Sequence, residues 1–246
     1  MRSTALLLSV LLALPVSLAA REPVQASPPL AVPGLADAHL SPGFWIDALA
    51  DADRVVLTPA QIAAQNARMR AEDGSIHDLE ALPGDIDGAQ VRDWIEGLSK
   101  LPERTLFDVH GQPVERGELE RLQASLDLDA IPASQPPRHG MVVRRADLRT
   151  FPTRLRVFST AGDTDIDRFQ ESALFPGDPV AIVHESRDGD WAFIVSQRYA
   201  AWIEKQSIAE GERDAIHAWG RRAPFLVVTG ATARTSLLYT SDAADD

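Results

Sequence analysis

Two short apolar runs joined by an Asp-Gly turn place the tightest limit on what this chain can fold into. The first run, residues 179–186, is rich in β-branched residues, and the second, residues 191–196, is also of strand length. The four residues between them, Arg187 to Asp190, include an Asp-Gly pair. Short connections of this kind between β-prone runs favour a hairpin. The sequence therefore predicts two antiparallel strands here.

The segments around this hairpin predict a small all-β barrel over residues 141–209. A first strand is expected at 141–153, followed by a long loop rich in Asp and Gly at 159–167. Further strands are expected at 169–172 and 200–203, with a single turn at 206–209. Five short strands, one long early loop and one tight hairpin are typical of an SH3-like barrel.

The first 40 residues predict export followed by a tether. Residues 1–20 combine Arg2, an apolar core and small residues before a cleavage point, which indicates a signal peptide. An uncleaved anchor helix is the alternative, but the apolar run is short for a bilayer span, which needs about 20 residues. Residues 21–40 are rich in proline and predict an extended tether. We expect the mature protein to be exported to a periplasm, with no stable membrane span after cleavage.

Residues 41–135 predict a helical segment. One helix is expected from Thr58 to about Arg70, one over residues 89–100 and one over residues 117–126. Apolar or neutral residues recur at helical spacing in each, so each is expected to bury one face. The residues on these faces are Ile62, Gln65, Asn66 and Met69 in the first helix, Val91, Trp94, Ile95 and Leu98 in the second, and Leu119, Leu122 and Leu126 in the third.

Residues 210–236 predict a connecting helix and the start of a second barrel. Residues 210–219 have helical character, and residues 225–230 form an apolar run of strand length. Residues 237–246 look like the translation of a sequencing adapter, so we interpret them as a non-native tail. The fold class expected is α+β: a helical N-terminal clip, a small SH3-like barrel, and the first strand of a truncated second barrel.

Charge and cysteine content exclude several functions. The formal charge of −12 argues against nucleic acid as a partner, because phosphate binding needs a cationic face. The chain contains no cysteine, so disulfides, thiolate metal sites and a cysteine nucleophile are absent from these 246 residues.

Four pieces of the barrel region together resemble the first bacterial SH3-like domain of NlpC-type cell-wall endopeptidases. They are residues 144–153, 167–171, 179–191 and 199–203. Residues 41–69 resemble the helical stabilising segment that precedes that domain, and the resemblance extends over about residues 36–230. The chain departs from the pattern at two positions. Ala201 stands where relatives usually have Gly before Trp, and Ala192 stands where an aromatic residue often follows Trp.

The resemblance implies a modular enzyme. Such enzymes join a helical clip, two SH3-like domains and a C-terminal papain-like cysteine peptidase that cleaves the γ-D-glutamyl bond to the diamino acid of peptidoglycan stem peptides. No catalytic residue can be assigned to this chain because it has no cysteine. The expected partners are the stem peptide and the missing SH3-like and peptidase domains. The alternative is a stand-alone periplasmic binding module without enzymatic activity.

Candidate residues for a ligand groove come from the aromatic and basic side chains of the barrel. Aromatic residues with a polar tip suit a partly apolar binding surface, although Trp191 and Trp202 can equally be core. Arg149 can meet a peptide carboxylate, or it can brace its loop against Asp163 or Asp165. The full set of candidates is Arg149, Phe151, Pro152, Trp191, Tyr199 and Trp202.

We predict no cofactor and no metal site. The acidic stretch 163–167 lacks the glycine and glutamate that an EF-hand loop needs at its sixth and twelfth positions, so its acids are expected to cap local backbone amides. His184 is interpreted as structural, and the six histidines show no metal-binding spacing.

Overall fold

The computed structural model describes residues 33–227, which fall into two compact units divided between Thr58 and Pro59. The predicted signal peptide and most of the predicted tether lie outside the described residues. The first unit contains a 3-10 helix, Asp37–Leu40, and helix α1, Pro42–Asp47. The indole nitrogen of Trp45 donates to the carbonyl of His39 at 2.8 Å, which ties these two helices together.

The second unit begins with helix α2, Pro59–Glu72, which corrects one prediction. None of its residues is buried, and Ile62 and Met69 remain 45% and 44% exposed. The prediction that this face of the helix is buried was therefore wrong. Its central positions, Gln65 and Asn66, are polar, so the stripe has too little apolar area for burial to stabilise it.

The other two predicted helices bury the expected faces. Helix α3, Gly88–Leu98, is capped by Asp87, whose Oδ1 accepts the amide of Ala89 at 2.8 Å. Helix α4 spans Arg116–Ser125. The fully or nearly fully buried residues of these stripes are Val91, Ile95, Leu119, Leu122 and Leu126.

A two-stranded sheet was not predicted. Strand β1, Ile86–Asp87, pairs antiparallel with strand β2, Ser134–Gln135, and so joins the start of α3 to the chain that enters the main sheet. Gly88 is required at this junction, because a Cβ there would lie 1.9 Å from the carbonyl oxygen of Pro132. A 3-10 helix, Leu128–Ala130, leads into β2.

The main sheet has seven antiparallel strands, which confirms the α+β class with an SH3-like sheet. The strands are β3 (Arg138–Val142), β4 (Ala146–Arg149), β5 (Gln170–Leu174), β6 (Pro179–Glu185), β7 (Trp191–Val195), β8 (Ala200–Glu204) and β9 (Ile208–Glu210). Their order is β5-β4-β8-β7-β6-β3-β9. Within residues 33–227 no pairing joins β5 to β9, so the hydrogen bonding does not close a barrel.

Two strand predictions need correction. The single strand expected at 141–153 is two strands, β3 and β4, and β3 begins at Arg138, ahead of the predicted start of the barrel. The turn expected at 206–209 is a 3-10 helix, Lys205–Ser207, followed directly by β9. Residues 143–145 change the direction of the chain between β3 and β4, which an alternating pattern cannot reveal.

The central hairpin is confirmed. Strands β6 and β7 pair antiparallel, with a register shift between Ile182 and His184. The turn has the Asp-Gly geometry expected: Gly189 has φ of +75°, and Asp188 Oδ1 accepts the amide of Asp190 at 3.0 Å.

The buried side chains form two clusters on the two faces of β7, all of whose residues are buried. The first cluster combines residues of α3 and α4, such as Val91 and Leu122, with Phe193 and Trp202 from the sheet. The second consists of strand residues, among them Leu148, Ile194 and Ile203. Helices thus cover one face of the sheet, while the strands enclose the other.

The last helix of the described chain is α5, Arg213–Trp219, where a connecting helix was predicted. Of the predicted strand at 225–230, residues 225–227 form no strand and are exposed. Its last three residues and the predicted tail lie outside the described residues. Over residues 33–227 no helix is long and apolar enough to span a membrane.

Candidate functional site

A groove of about 830 Å³ lies beside strands β4 and β8 and the loop that follows β4. Its wall contains Trp191 and nine charged residues, of which a small majority are basic although the whole chain has a formal charge of −12. The charged residues are five arginines, Arg144, Arg145, Arg149, Arg154 and Arg156, and four acids, Asp147, Asp165, Asp167 and Glu204.

Arg149 supports the groove from inside. Its side chain is 5% exposed, and its Nη1 lies 2.6 Å from Oδ2 of Asp167, which is 9% exposed. The same guanidinium donates to the carbonyls of Thr153 and Leu155 and to the side chain of Gln170. Because these groups use most of its donors, Arg149 braces the loop after β4. The acid it pairs with is Asp167, rather than the two considered from the sequence.

Asp167 is equally well satisfied. Its Oδ1 accepts the backbone amides of Val157 at 3.1 Å and Phe169 at 3.0 Å, while Oδ2 faces Arg149. The amides and the guanidinium together fix both ends of the loop between β4 and β5. Asp163 Oδ1 accepts the amide of Asp165 at 3.3 Å, which is the local capping predicted for this acidic stretch.

The outer arginines of the groove are held more loosely. The side chains of Arg144, Arg145 and Arg156 are 50%, 63% and 53% exposed. Their nearest carboxylate oxygens lie 3.9, 3.6 and 3.8 Å away, beyond hydrogen-bonding distance. These guanidinium groups therefore keep donors available to a ligand.

Glu204 organises the opposite wall. Its carboxylate accepts from Arg154 and, at 2.7 Å, from Gln206. The hydrogen bond from Arg154 is the main reason that the pKa of Glu204 lies below its usual value. Glu204 therefore stays ionised at neutral pH and keeps Arg154 beside the groove.

The remaining candidates divide between the wall of the groove and the core. Trp191 lines the groove but is only 7% exposed, and with Pro152 it also lines a neighbouring cavity of about 520 Å³. Phe151 and Trp202 are fully buried in the first core cluster. The sequence allowed Trp202 to be either a groove residue or a core residue, and the structure places it in the core. Its indole nitrogen donates to Ser99 Oγ at 3.1 Å.

Tyr199 lies apart from the groove and is half-buried. Its hydroxyl donates to Glu171, which also accepts from Thr150 Oγ1 at 2.6 Å. Burial, followed by the hydrogen bond to Glu171, raises the pKa of Tyr199 to about 12. The phenol therefore acts as a neutral hydrogen-bond donor at physiological pH.

Arg154 and Arg156 were not singled out from the sequence, although a signal for them exists. They flank Leu155, which is half-buried, whereas both arginines are exposed. Two like charges separated by one apolar residue in an extended segment place both charges on the same side. This alternation in residues 154–156 predicts a basic edge, and the structure places that edge on the groove.

The described residues contain no group of three or more histidine, aspartate or glutamate side chains placed to hold a metal ion. His184 has a structural contact, since its Nε2 lies 2.8 Å from the carbonyl oxygen of Leu126.

Comparison with known proteins gives one family match and one structural similarity. A search of curated sequences finds no match. A solved structure of a novel NlpC/P60 endopeptidase from Photobacterium damselae subsp. piscicida is similar, with 22% identity and a TM-score of 0.48. The similarity covers 67% of this chain and 40% of that one, so this chain spans less than half of that protein's length. The family model for the SH3 domain (SH3b1 type) matches residues 156–204, which run from the groove arginine Arg156 to Glu204, and this stretch is therefore a domain of the SH3b1 type.

Proposed function

We propose that this protein is the non-catalytic, peptide-recognising part of an exported NlpC-type peptidoglycan endopeptidase. The SH3b1-type match and the sequence resemblance support a cell-wall-associated role. The observation that carries the proposal is the groove beside Trp191, where exposed arginines gather on an otherwise acidic chain.

The chemistry of the groove suits the stem peptide of peptidoglycan. Such peptides carry carboxylates, and a guanidinium presents paired donors that match a carboxylate. Arg156 is the best placed to bind one. Its guanidinium stacks 5.2 Å from the Phe158 ring, and the nearest carboxylate, that of Asp167, is already satisfied by Arg149 and two amides. A ligand carboxylate would thus meet an oriented guanidinium without displacing a strong partner.

The chain itself is not expected to hydrolyse the peptide. NlpC-type hydrolysis uses a cysteine thiolate, and these 246 residues contain no cysteine. In the intact enzyme, the helical segment and the SH3b1-type domain would pack against the peptidase and shape one wall of its substrate cleft. Arg149 and Asp167 would position the loop that carries Arg154 and Arg156.

Calorimetric titration of a purified stem peptide into the full chain tests this function. We expect binding that weakens as salt is raised, because the groove is open to solvent and its charges are screened. Arg156→Gln should weaken binding by about two- to fivefold, as expected for the loss of one exposed charge-assisted contact. Arg116→Gln is the matched control, since Arg116 is 73% exposed on α4 and lies outside the groove.

Two results would refute the proposal. One is peptide binding that is insensitive both to salt and to Arg156→Gln. The other is release of a cleaved peptide by the purified chain alone, because that would require a catalytic group other than a cysteine.

A further inference from the structure

Helix α5 rests against strand β3 through a pair of histidines. His139 on β3 and His217 on α5 have ring centroids 5.6 Å apart and ring planes at 72°. Both residues are half-buried. His139 Nδ1 and His217 Nε2 are each shielded from solvent and have no hydrogen-bond partner within the described chain. This joint therefore packs two imidazole rings together, each with one nitrogen shielded from solvent.

The charges around the joint are unfavourable to a protonated ring at His139. Burial, then His217, then Arg213 on α5, hold the pKa of His139 below its usual value. On β3 the adjacent Arg138 is paired with Glu185 and Glu210. Successive side chains of a strand point to opposite faces, so these acids lie on the other face from His139.

One acid faces the pair from the loop before β1. Glu80 interacts electrostatically with His217. The Glu80 carboxylate is also held by Arg221, whose Nη1 lies 2.8 and 2.9 Å from its two oxygens. That hydrogen bond is the main reason that the pKa of Glu80 is lowered. The carboxylate therefore stays charged and engaged with Arg221 while His139 titrates.

Helix α5 has few other contacts that keep it in place. It has seven residues, too few to be stable alone, and none of them is buried. It is held by the amide of Gly211, which donates to the His139 carbonyl at 3.0 Å, by Arg213, which donates to the Glu80 carbonyl, and by the ion pair that Arg221, just past the helix, makes with Glu80. A small change in free energy at the histidine joint is therefore enough to change its docking.

We propose that His139 and His217 form a pH-sensitive latch that docks α5 on β3 while the His139 ring is neutral and loosens when that ring is protonated. Protonation of His139 places a positive charge beside the second ring and Arg213, and the shielded Nδ1 of His139 has no hydrogen-bond partner within the described chain. Release would reorient the chain that follows Trp219. This device is independent of the arginine groove and of the proposed function.

The pH range follows from linkage. In the released state a histidine has an ordinary pKa of about 6.5, whereas docking lowers that of His139. Docking is therefore complete above about pH 6.5 and weakens as the pH falls below it. Each proton taken up on release raises the opening equilibrium by up to about tenfold per pH unit, until the docked ring also protonates.

Amide hydrogen exchange of the full chain between pH 7.5 and 5.5, corrected for intrinsic rates, measures the latch. Protection at Gly211 and Ile216 should fall by up to about tenfold, whereas Ile194 in β7 should keep its protection. His139→Gln combined with His217→Gln should abolish this pH dependence. His110→Gln, in an exposed loop, is the matched control and should leave it intact.

A further variant keeps the test decisive if the double variant folds poorly. Arg213→Gln removes the cation beside His139, so the pH-dependent loss of protection should shrink even where the baseline protection is lower. The latch is overturned if α5 protection in the unmodified chain is flat across this range. It is equally overturned if the same loss persists without both histidines.

Discussion

Replacing Arg149 separates a bracing role from a ligand-binding role. Arg149→Met removes a guanidinium that is 5% exposed, lies 2.6 Å from Asp167 and also donates to two backbone carbonyls. The variant leaves the Asp167 carboxylate without its closest ion partner and both carbonyls without this donor. Breaking a buried pair by removing one partner costs about 3–5 kcal/mol. We therefore expect a loss of that size, a large share of the 5–15 kcal/mol typical of a folded domain.

Urea unfolding followed by circular dichroism measures this loss. With a slope of about 2 kcal/mol per M, the midpoint should fall by about 1.5–2.5 M. Arg145→Met is the matched control. That side chain belongs to the same groove but is 63% exposed and lies 3.6 Å from Asp147, so its removal should cost less than about 1 kcal/mol.

A double-mutant cycle identifies the partner. Asp167→Asn alone should also destabilise, because it leaves the buried guanidinium unpaired. Combining it with Arg149→Met should cost clearly less than the sum of the two single losses, since each variant removes the same interaction. The reasoning is refuted if Arg149→Met costs less than about 1 kcal/mol while peptide binding is lost, because Arg149 would then be a recognition residue.

Two further substitutions test the packing and hydrogen bonding around the sheet. Gly88→Ala should lower the free energy of unfolding in urea by about 1–3 kcal/mol, because its Cβ would lie 1.9 Å from the Pro132 oxygen. Gly97→Ala is the control: a Cβ there has no atom within 4 Å, so the change should stabilise the chain by up to about 1 kcal/mol. Equal effects of the two substitutions would contradict the close approach of Pro132 to Gly88. Because the pKa of Tyr199 is raised to about 12 in the folded chain, its contribution to stability is present below about pH 10 and is lost as the pH rises towards 12. Alkaline unfolding curves of Tyr199→Phe should lack that component, and an identical pH profile in both proteins would count against the Glu171 hydrogen bond.

Local signals in the sequence were sufficient for the hairpin and for two of the helices. The Asp-Gly turn fixes φ at Gly189, and the stripes of α3 and α4 contain enough large apolar residues to require burial. Strands β1 and β2 have two residues each, too few to show a period. Their pairing depends on residues almost fifty positions apart, which no local pattern encodes.

The groove was harder to predict because exposure depends on tertiary packing. Aromatic composition drew attention to Phe151 and Trp202, yet both are buried under helices whose position the sequence does not specify. Arg149 was recognised as the notable charge of the barrel, and bracing of its loop was one of two roles considered. Its partner, Asp167, lies at the far end of that loop, so its identity depends on the path of the loop between β4 and β5.

The first core cluster has a consequence for how this molecule unfolds. Val91 and Leu122 from the helices share it with Phe193 and Trp202 from the sheet, and Trp202 is hydrogen-bonded to Ser99, just past the end of α3. Strands and helices therefore gain their stability cooperatively, through side chains supplied by both. A fragment cut to residues 156–204 would expose the indole of Trp202 to solvent and leave its N–H without that acceptor. The stability of the SH3b1-type stretch therefore depends on residues that precede it in the chain.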